Sequence, residues 1–151
     1  MILLDVNILV GAFRDDADRH LAYREWLFAE IGDGEAFALS EAVLTGFLRV
    51  ATHPRVFTRP STLAQSMEFA DALLALPGCR LLRSGPRYWE ILREICRRAD
   101  ARGNLIADAA HAALAIEHDC IWITADRDFA RFPGLRWRHP LDDRTTRENP
   151  R

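Results

Sequence analysis

The chain has 151 residues, of which 49% are hydrophobic and 28% charged. That balance suits one soluble domain with one sizeable core, and no apolar run approaches the roughly 20 residues of a membrane span. The formal net charge of −2 excludes a molecule that binds nucleic acid through overall positive charge.

The charge is unevenly spread. Residues 1–79 hold 6 Arg and 11 acids, net −5, and residues 80–151 hold 14 Arg and 11 acids, net +3; the two sum to −2. All 20 basic residues are Arg. Guanidinium groups bind phosphate bidentately, so the C-terminal half suits a polyanion. A genome-wide bias toward arginine codons accounts for the surplus equally well. Cys79, Cys96 and Cys120 are odd in number and not closely spaced. They read as buried free thiols, not as a disulfide framework or a CxxC metal site.

In chain order, the opening MILLDVNILV is apolar but short, and Asp5 interrupts it. It lacks the basic flank and small-residue cleavage site of a signal peptide, so a cytoplasmic protein is expected. Residues 2–5 (ILLD) read as the first strand, followed by strands at 36–39 (FALS), 80–83 (RLLR) and 121–124 (IWIT). Residues 18–31 and 62–75 read as helices. Three apolar stripes at helical spacing mark further helices: one through Val43, Phe47 and Ala51, one through Tyr88, Ile91, Ile95 and Ala99, and one through Leu105, Ala109, Ala112 and Ile116. Asp18, Ser40 and Ser61 or Thr62 are expected N-caps. Gly32, Pro77-Gly78 and Gly103 are expected stops, and Pro54 should end the helix that begins near Ser40. A domain over 1–141 with a polar tail over 142–151 is expected. Strands alternating with helices imply an α/β fold with a mainly parallel sheet. Right-handed crossovers then gather the strand C-termini on one edge, where ligands bind.

Four acids fall at that edge. Asp5 ends the first strand, Glu41 follows the second, Asp126 follows the fourth, and Asp108 sits in an alanine-rich helix. A carboxylate in apolar surroundings is costly unless something pairs with it. No Lys exists, and no Arg lies within four residues of Asp5 or Asp108. A divalent cation would compensate several carboxylates together. An all-oxygen donor set suits Mg²⁺ or Mn²⁺, whereas zinc prefers His and Cys. Such an ion can polarise a phosphoryl oxygen and lower the pKa of water, which makes phosphodiester hydrolysis the natural chemistry.

Simpler readings stand beside this one. Glu41 also suits a helix N-terminus electrostatically, and Asp126 suits the cap of a short helix over 127–131. Capping does not account for Asp5, which ends an apolar strand. His111 lies one helical turn after Asp108 and reads as a partly buried helix histidine before a metal ligand. Trp26, Trp89, Trp122 and Trp137 are scattered and read as core or core edge, not a base-stacking platform. Arg127 and Arg131 flank the last acidic segment and suit RNA phosphates or neighbouring acids.

These segments resemble the PIN-domain nucleases, specifically the VapC toxins of bacterial toxin–antitoxin pairs, over nearly the whole chain. MILLDVNILV resembles the family's opening D-x-N strand, which implies metal binding by Asp5 and a supporting hydrogen bond from Asn7. SEAVLTGFLRVATHPRVF resembles the second acidic segment, with Glu41. ARGNLIADAAHAALAIEHDC resembles the helix bearing Asp108. WITADRDFARFPGLRW resembles the closing motif, with Asp126 as fourth acid, Thr124 at the usual hydroxyl position and Asp128 as a fifth acid. The resemblance implies a three-layer α/β/α sandwich, Mg²⁺-dependent cleavage of cellular RNA, a homodimer, and inhibition by a small cognate antitoxin; the apolar segments near residues 43–76 are the expected dimer contacts. In that scheme Asp5, Asp108 and Asp126 hold the metal, and Glu41 binds it or orients the attacking water.

Two other readings differ in class. An aspartyl-phosphate phosphatase also places an acid after an apolar first strand, as a nucleophile. It usually needs a second Asp two residues on, where this chain has Asn7. A non-catalytic module of the same fold, binding RNA or protein, is the other; the retained acids argue against it.

Overall fold

A computed structural model describes residues 1–32 and 34–142. The expected tail beyond Asp142 lies outside the described residues. Five strands form one sheet: β1 (Ile2–Leu4), β2 (Phe37–Ser40), β3 (Cys79–Leu82), β4 (Ile121–Ile123) and β5 (Trp137–Arg138). Their order is β3-β2-β1-β4-β5, and every pairing is parallel. The first four match the predicted strands to within one residue. The two-residue edge strand β5 was not predicted, because two residues carry no alternation to detect.

Six helices link the strands. They are α1 (Val6–Phe13), α2 (His20–Ile31), α3 (Glu41–Ala51), α4 (Leu63–Leu74), α5 (Tyr88–Arg98) and α6 (Asn104–Glu117). The pairs α1–α2 and α3–α4 carry the chain from β1 to β2 and on to β3. The pair α5–α6 then returns it across the sheet to β4, beside β1. Right-handed crossovers in opposite directions put the two sets on opposite faces, which gives the expected three-layer α/β/α sandwich. The direction reverses between β1 and β4, and the crevice beyond their C-terminal ends is where such sheets take ligands.

Helix α1 was missed for a physical reason. Ile8, Leu9, Val10, Gly11 and Ala12 are all buried, so the helix has no polar face to give a 3.6-residue period. It fills the centre of the molecule with Leu3, Leu4, Phe37, Phe47 and Trp122, all fully buried. Phe13, Phe47 and Phe69 bind α1, α3 and α4 together through ring contacts of 4.9–5.4 Å between centroids. Trp122 is core as expected, but Trp89 is 65% exposed, because Ile91 and Ile95 turn the opposite side of α5 inward.

The caps are mixed. Ser40 caps α3 by accepting from the Val43 N–H, and Thr62 forms a capping box with Gln65 at the start of α4. Asp18 does not cap α2; Arg19 precedes that helix with φ 54° and no side-chain cap. Gly103 does not stop α5, which ends at Arg98. It instead launches α6 with φ 55° and ψ −128°, a backbone region open essentially to glycine alone. Cys79 and Cys96 are half-buried and only Cys120 is buried, all as free thiols. Among the described residues, no helix is long and apolar enough to cross a membrane.

Gly103→Ala therefore isolates a backbone term, since nothing lies within 4 Å of the added Cβ. It should lower stability by about 1–3 kcal/mol, read as a lower urea midpoint at constant m-value. An unchanged midpoint would mean that the turn relaxes without cost.

Candidate active site

The turn from β1 into α1 sets the site. Asp5 ends the strand and caps α1: its Oδ1 accepts from the Val6 N–H at 2.6 Å. This corrects the expectation that capping has no part at Asp5. Its Oδ2 accepts from the Thr124 hydroxyl at 2.5 Å and from Asn7 Nδ2 at 3.0 Å. Asn7 Nδ2 also donates to Thr124 Oγ1 at 3.1 Å, and its Oδ1 accepts from the Ala125 N–H at 3.1 Å. Thr124 Oγ1 accepts from the Asp126 N–H at 3.0 Å. One network thus ties the ends of the two strands at the reversal point.

Beyond that network lies a cleft of about 640 Å³ whose walls include Asp5, Asn7, Asp18, Asp108, His111 and Asp126. Asp5 is only 6% exposed, and its pKa is pushed up to about 6. Burial is the main cause; the Thr124 and Val6 hydrogen bonds oppose it, and the Asp108 and Asp126 charges add to it. Ionised Asp5 is thus disfavoured by about 3 kcal/mol relative to an exposed carboxylate. Asp108, half-buried in α6, is also raised, first by burial and then by Asp126; Arg131 opposes this and Asp128 adds to it. Asp126 is exposed at the cleft rim. It also caps the short 3-10 helix Arg127–Arg131 through the Asp128 N–H at 2.9 Å, so the structural reading and the cleft position hold together.

Other expected residues stand apart. Glu41 is exposed and its carboxylate accepts from Arg83 Nε at 3.0 Å. It starts α3 after β2, one strand further out than Asp5, and it is not among the residues that line the cleft. Asp128 also lies outside the lining. Arg127 is held by Asp142 through bonds of 2.7 and 3.1 Å, while Arg131 acts on Asp108 electrostatically. His111 lines the cleft and stacks on Trp122 with centroids 5.2 Å apart. Burial lowers its pKa, which keeps it neutral near pH 7. Sequence reasoning missed Asp18, Arg49 and Asn104 as lining residues. Asp18 reads in the sequence as a helix cap, and the spacing around Arg49 and Asn104 does not place them at the strand edge.

The donor chemistry fits a divalent oxygen-preferring cation. Asp5 is buried, two further carboxylates add to the rise in its pKa, and no cation among the described residues neutralises it. Asp5, Asp108 and Asp126 are the residues that would hold the ion. Among the described residues, no three His, Cys, Asp or Glu side chains form a ready-made metal cage. Mg²⁺ does not require one, since it keeps several waters and is often held by one or two carboxylates together with substrate phosphates.

An α/β/α sandwich with an acid-lined cleft at its strand reversal defines a class, and comparison with known proteins places the chain in it. The chain belongs to the PIN-domain family, whose model matches residues 2–135. Ribonuclease VapC43 of Mycobacterium tuberculosis is 48% identical over 145 residues, covering 96% of this chain and 99% of that protein. Ribonuclease VapC31 of the same organism is 40% identical over 140 residues, covering 93% and 99%. Among solved structures, FitAB bound to a DNA fragment aligns with a TM-score of 0.70 at 20% identity, covering 95% of this chain and 99% of that one. VapBC-1 from nontypeable Haemophilus influenzae aligns with a TM-score of 0.68 at 16% identity, covering 94% and 100%. These last two likenesses concern the fold.

Burial of the cleft acids, reinforced by their mutual repulsion, makes a stability prediction. Asp5 and Asp108 both have pKa values raised above the ordinary 3.8, so the folded state binds more protons than the unfolded chain. The stabilising contribution of both is complete below about pH 4; that of Asp5 is lost as pH rises through about 6, and that of Asp108 is lost as pH rises through its own raised pKa. In EDTA the melting temperature should carry a downward component over that interval. Asp108→Asn removes one charge at nearly constant shape and no hydrogen bond to the Asp108 carboxylate is lost. It should melt higher than wild type at pH 7 in EDTA, show a shallower pH component, and gain less from Mg²⁺. Equal Mg²⁺ stabilisation of both proteins would remove Asp108 from the cation site.

Proposed function

We propose that this protein is a Mg²⁺- or Mn²⁺-dependent endoribonuclease, the toxin of a VapBC-type toxin–antitoxin pair acting in the cytoplasm. One observation carries the reading: buried Asp5 shares a cleft with Asp108 and Asp126, whose charges raise its pKa, and no arginine offsets them at Asp5 among the described residues, in a chain 48% identical to a VapC ribonuclease over 96% of its length. A bound divalent ion would supply charge neutralisation at a phosphoryl oxygen and a more acidic water.

The chain's own residues have distinct parts in this proposal. Asp5, Asp108 and Asp126 hold the cation. Asn7 and Thr124 fix the Asp5 carboxylate in one orientation, and Thr124 also fixes the Asp126 backbone. Arg131, beside Asp108, meets RNA phosphate; Arg127 reaches it only by releasing Asp142. Glu41 and Asp128 act from outside the cleft wall and contribute less. The phosphatase alternative is disfavoured, since both oxygens of Asp5 already accept hydrogen bonds.

Purified protein free of antitoxin should cleave mixed RNA with Mg²⁺ or Mn²⁺ and stop on addition of EDTA. Asp5→Asn and Asp126→Asn should each lower the rate by at least about a hundredfold, as expected when a charged group leaves a small electrostatic site. Glu41→Gln and Asp128→Asn should cost much less. Cleavage that persists in EDTA would remove the metal from the reaction, and no cleavage under any condition would favour a non-catalytic binding module.

Assembly belongs to the same proposal: a homodimer that also binds a small antitoxin. Leu63 and Met67, one turn apart on α4, are exposed apolar residues within the 43–76 segment. Light scattering at micromolar concentration should give twice the 17.2 kDa chain mass, and Leu63→Glu/Met67→Glu should shift it toward monomer. A monomeric wild type would overturn the dimer.

A further inference from the structure

Arg49 is a cation in an otherwise acidic cleft. It sits in the last turn of α3 and shares the cleft walls with Asp5, Asp18, Asp108 and Asp126. It is exposed, and among the described residues its guanidinium makes no hydrogen bond or ion pair. Arg14, Arg83 and Arg127 are committed, to Asp16, Glu41 and Asp142, whereas Arg131 acts on Asp108 from the other side of the site. The segment that leaves the cleft at Arg49 continues the charge. Between Glu41 and Glu68 there is no acid, while Arg49, Arg55 and Arg59 are all present. Arg55 and Arg59 are exposed, and neither guanidinium has a partner among the described residues. Residues 42–67 thus carry a formal +3 inside an N-terminal half that totals −5.

We propose that the surface from Arg49 through Arg55 to Arg59 is the track that holds the RNA backbone beside the acid cleft, an inference that rests on the ribonuclease reading above. A cleft lined by four carboxylates repels a polyanion, so substrate needs positive charge next to the cleft and not within its acidic floor. Arg49 meets a phosphate flanking the scissile one, and Arg55 and Arg59 meet phosphates further along. Free, exposed guanidinium groups suit this work because they lose no internal ion pair on binding. The sign of charge along 49–59 is opposite to the rest of its half of the chain, which is what a local contact surface for phosphate requires.

Counterion release gives the size of the effect. Each phosphate contact on a single strand contributes about 0.7 to the slope of log affinity against log salt, which is about fivefold in affinity at 0.1 M salt. The test is single-turnover RNA cleavage with enzyme in excess, in Mg²⁺, across a NaCl series. Arg49→Gln should raise the half-saturating enzyme concentration by about fivefold at 0.1 M salt, and the triple Arg49→Gln/Arg55→Gln/Arg59→Gln by about a hundredfold, with a salt slope shallower by about 2. Arg93→Gln/Arg97→Gln/Arg98→Gln on α5 makes the same change in net charge and should leave both quantities near wild type. The Mg²⁺-induced shift in melting temperature should persist in the triple variant and not fall below that of wild type, which shows that the acid cluster is intact. Should the Gln triple fail to fold, Arg49→Lys/Arg55→Lys/Arg59→Lys keeps the charge and should retain the wild-type salt slope. A wild-type enzyme that cleaves RNA while the triple variant keeps its half-saturation and slope overturns the track alone. Equal losses in the α5 control also overturn it, because net charge then explains the effect. A wild type that cleaves no RNA removes the ribonuclease reading, and the track with it.

Discussion

The structure around the cleft depends on a buried carboxylate that the protein does not neutralise. Asp5 sits at the end of β1 with 6% exposure, and three donors hold it: the Val6 N–H, the Thr124 hydroxyl and Asn7 Nδ2. Hydrogen bonds of this kind favour the ionised form. Burial nevertheless wins, and the pKa stands near 6. A fold selected only for stability would place an apolar residue here, or an arginine beside the acid. The donors fix where the charge points without cancelling it, which is the property a cation site needs.

The topology makes this arrangement available. The sheet order β3-β2-β1-β4-β5 leaves a crevice where β1 and β4 part to opposite sides. Asp5 follows β1 and Asp126 follows β4, so residues far apart in sequence become neighbours through the Asp5–Thr124 hydrogen bond. Helix α6 runs back from the same edge, and Asp108 lies in its second turn. The Gly103 backbone, at φ 55° and ψ −128°, turns the chain into that helix. The bases of the site are therefore the strands and helix starts of the scaffold, with little dependence on long loops. Such placement favours precise geometry.

Much of this was legible in the sequence, and the exceptions have causes. Four strands and five helices follow from apolar period and from punctuation such as Ser40 and Thr62. The buried α1 escaped because an element apolar on all sides shows no period. Asp5, Asp108 and Asp126 were visible as carboxylates in apolar settings or at predicted strand ends, and all three line the cleft. Glu41 satisfied the same rule, since it too follows a strand. Yet β2 lies one strand away from the reversal point, and the exposed carboxylate finds Arg83. Edge position alone cannot separate the strand beside the crevice from its neighbour; strand order can. The place of Arg49 in the cleft wall was not legible, because it comes from what α3 packs beside, not from its own neighbours in sequence.

The same electrostatics explains why the acids are spread and not caged. Unit charges about 4 Å apart interact by roughly 4 kcal/mol at an effective dielectric near 20, an upper scale that solvent reduces. Drawing Asp5, Asp108 and Asp126 together in advance would raise their pKa values further and protonate the donors that the cation requires. Keeping Asp126 at the exposed rim and Asp108 half-buried limits that repulsion. A small hard cation tolerates the spacing, because waters and phosphate oxygens complete its shell. Affinity for the ion and affinity for the phosphodiester then depend on each other: each brings the charge that the other must meet. The proposed positive track, which starts at Arg49 in the cleft wall and leads away from it, suits this division, since it would hold the polyanion without competing for the carboxylates. The acids would then set where the chemistry happens, and the arginines where the chain of phosphates lies.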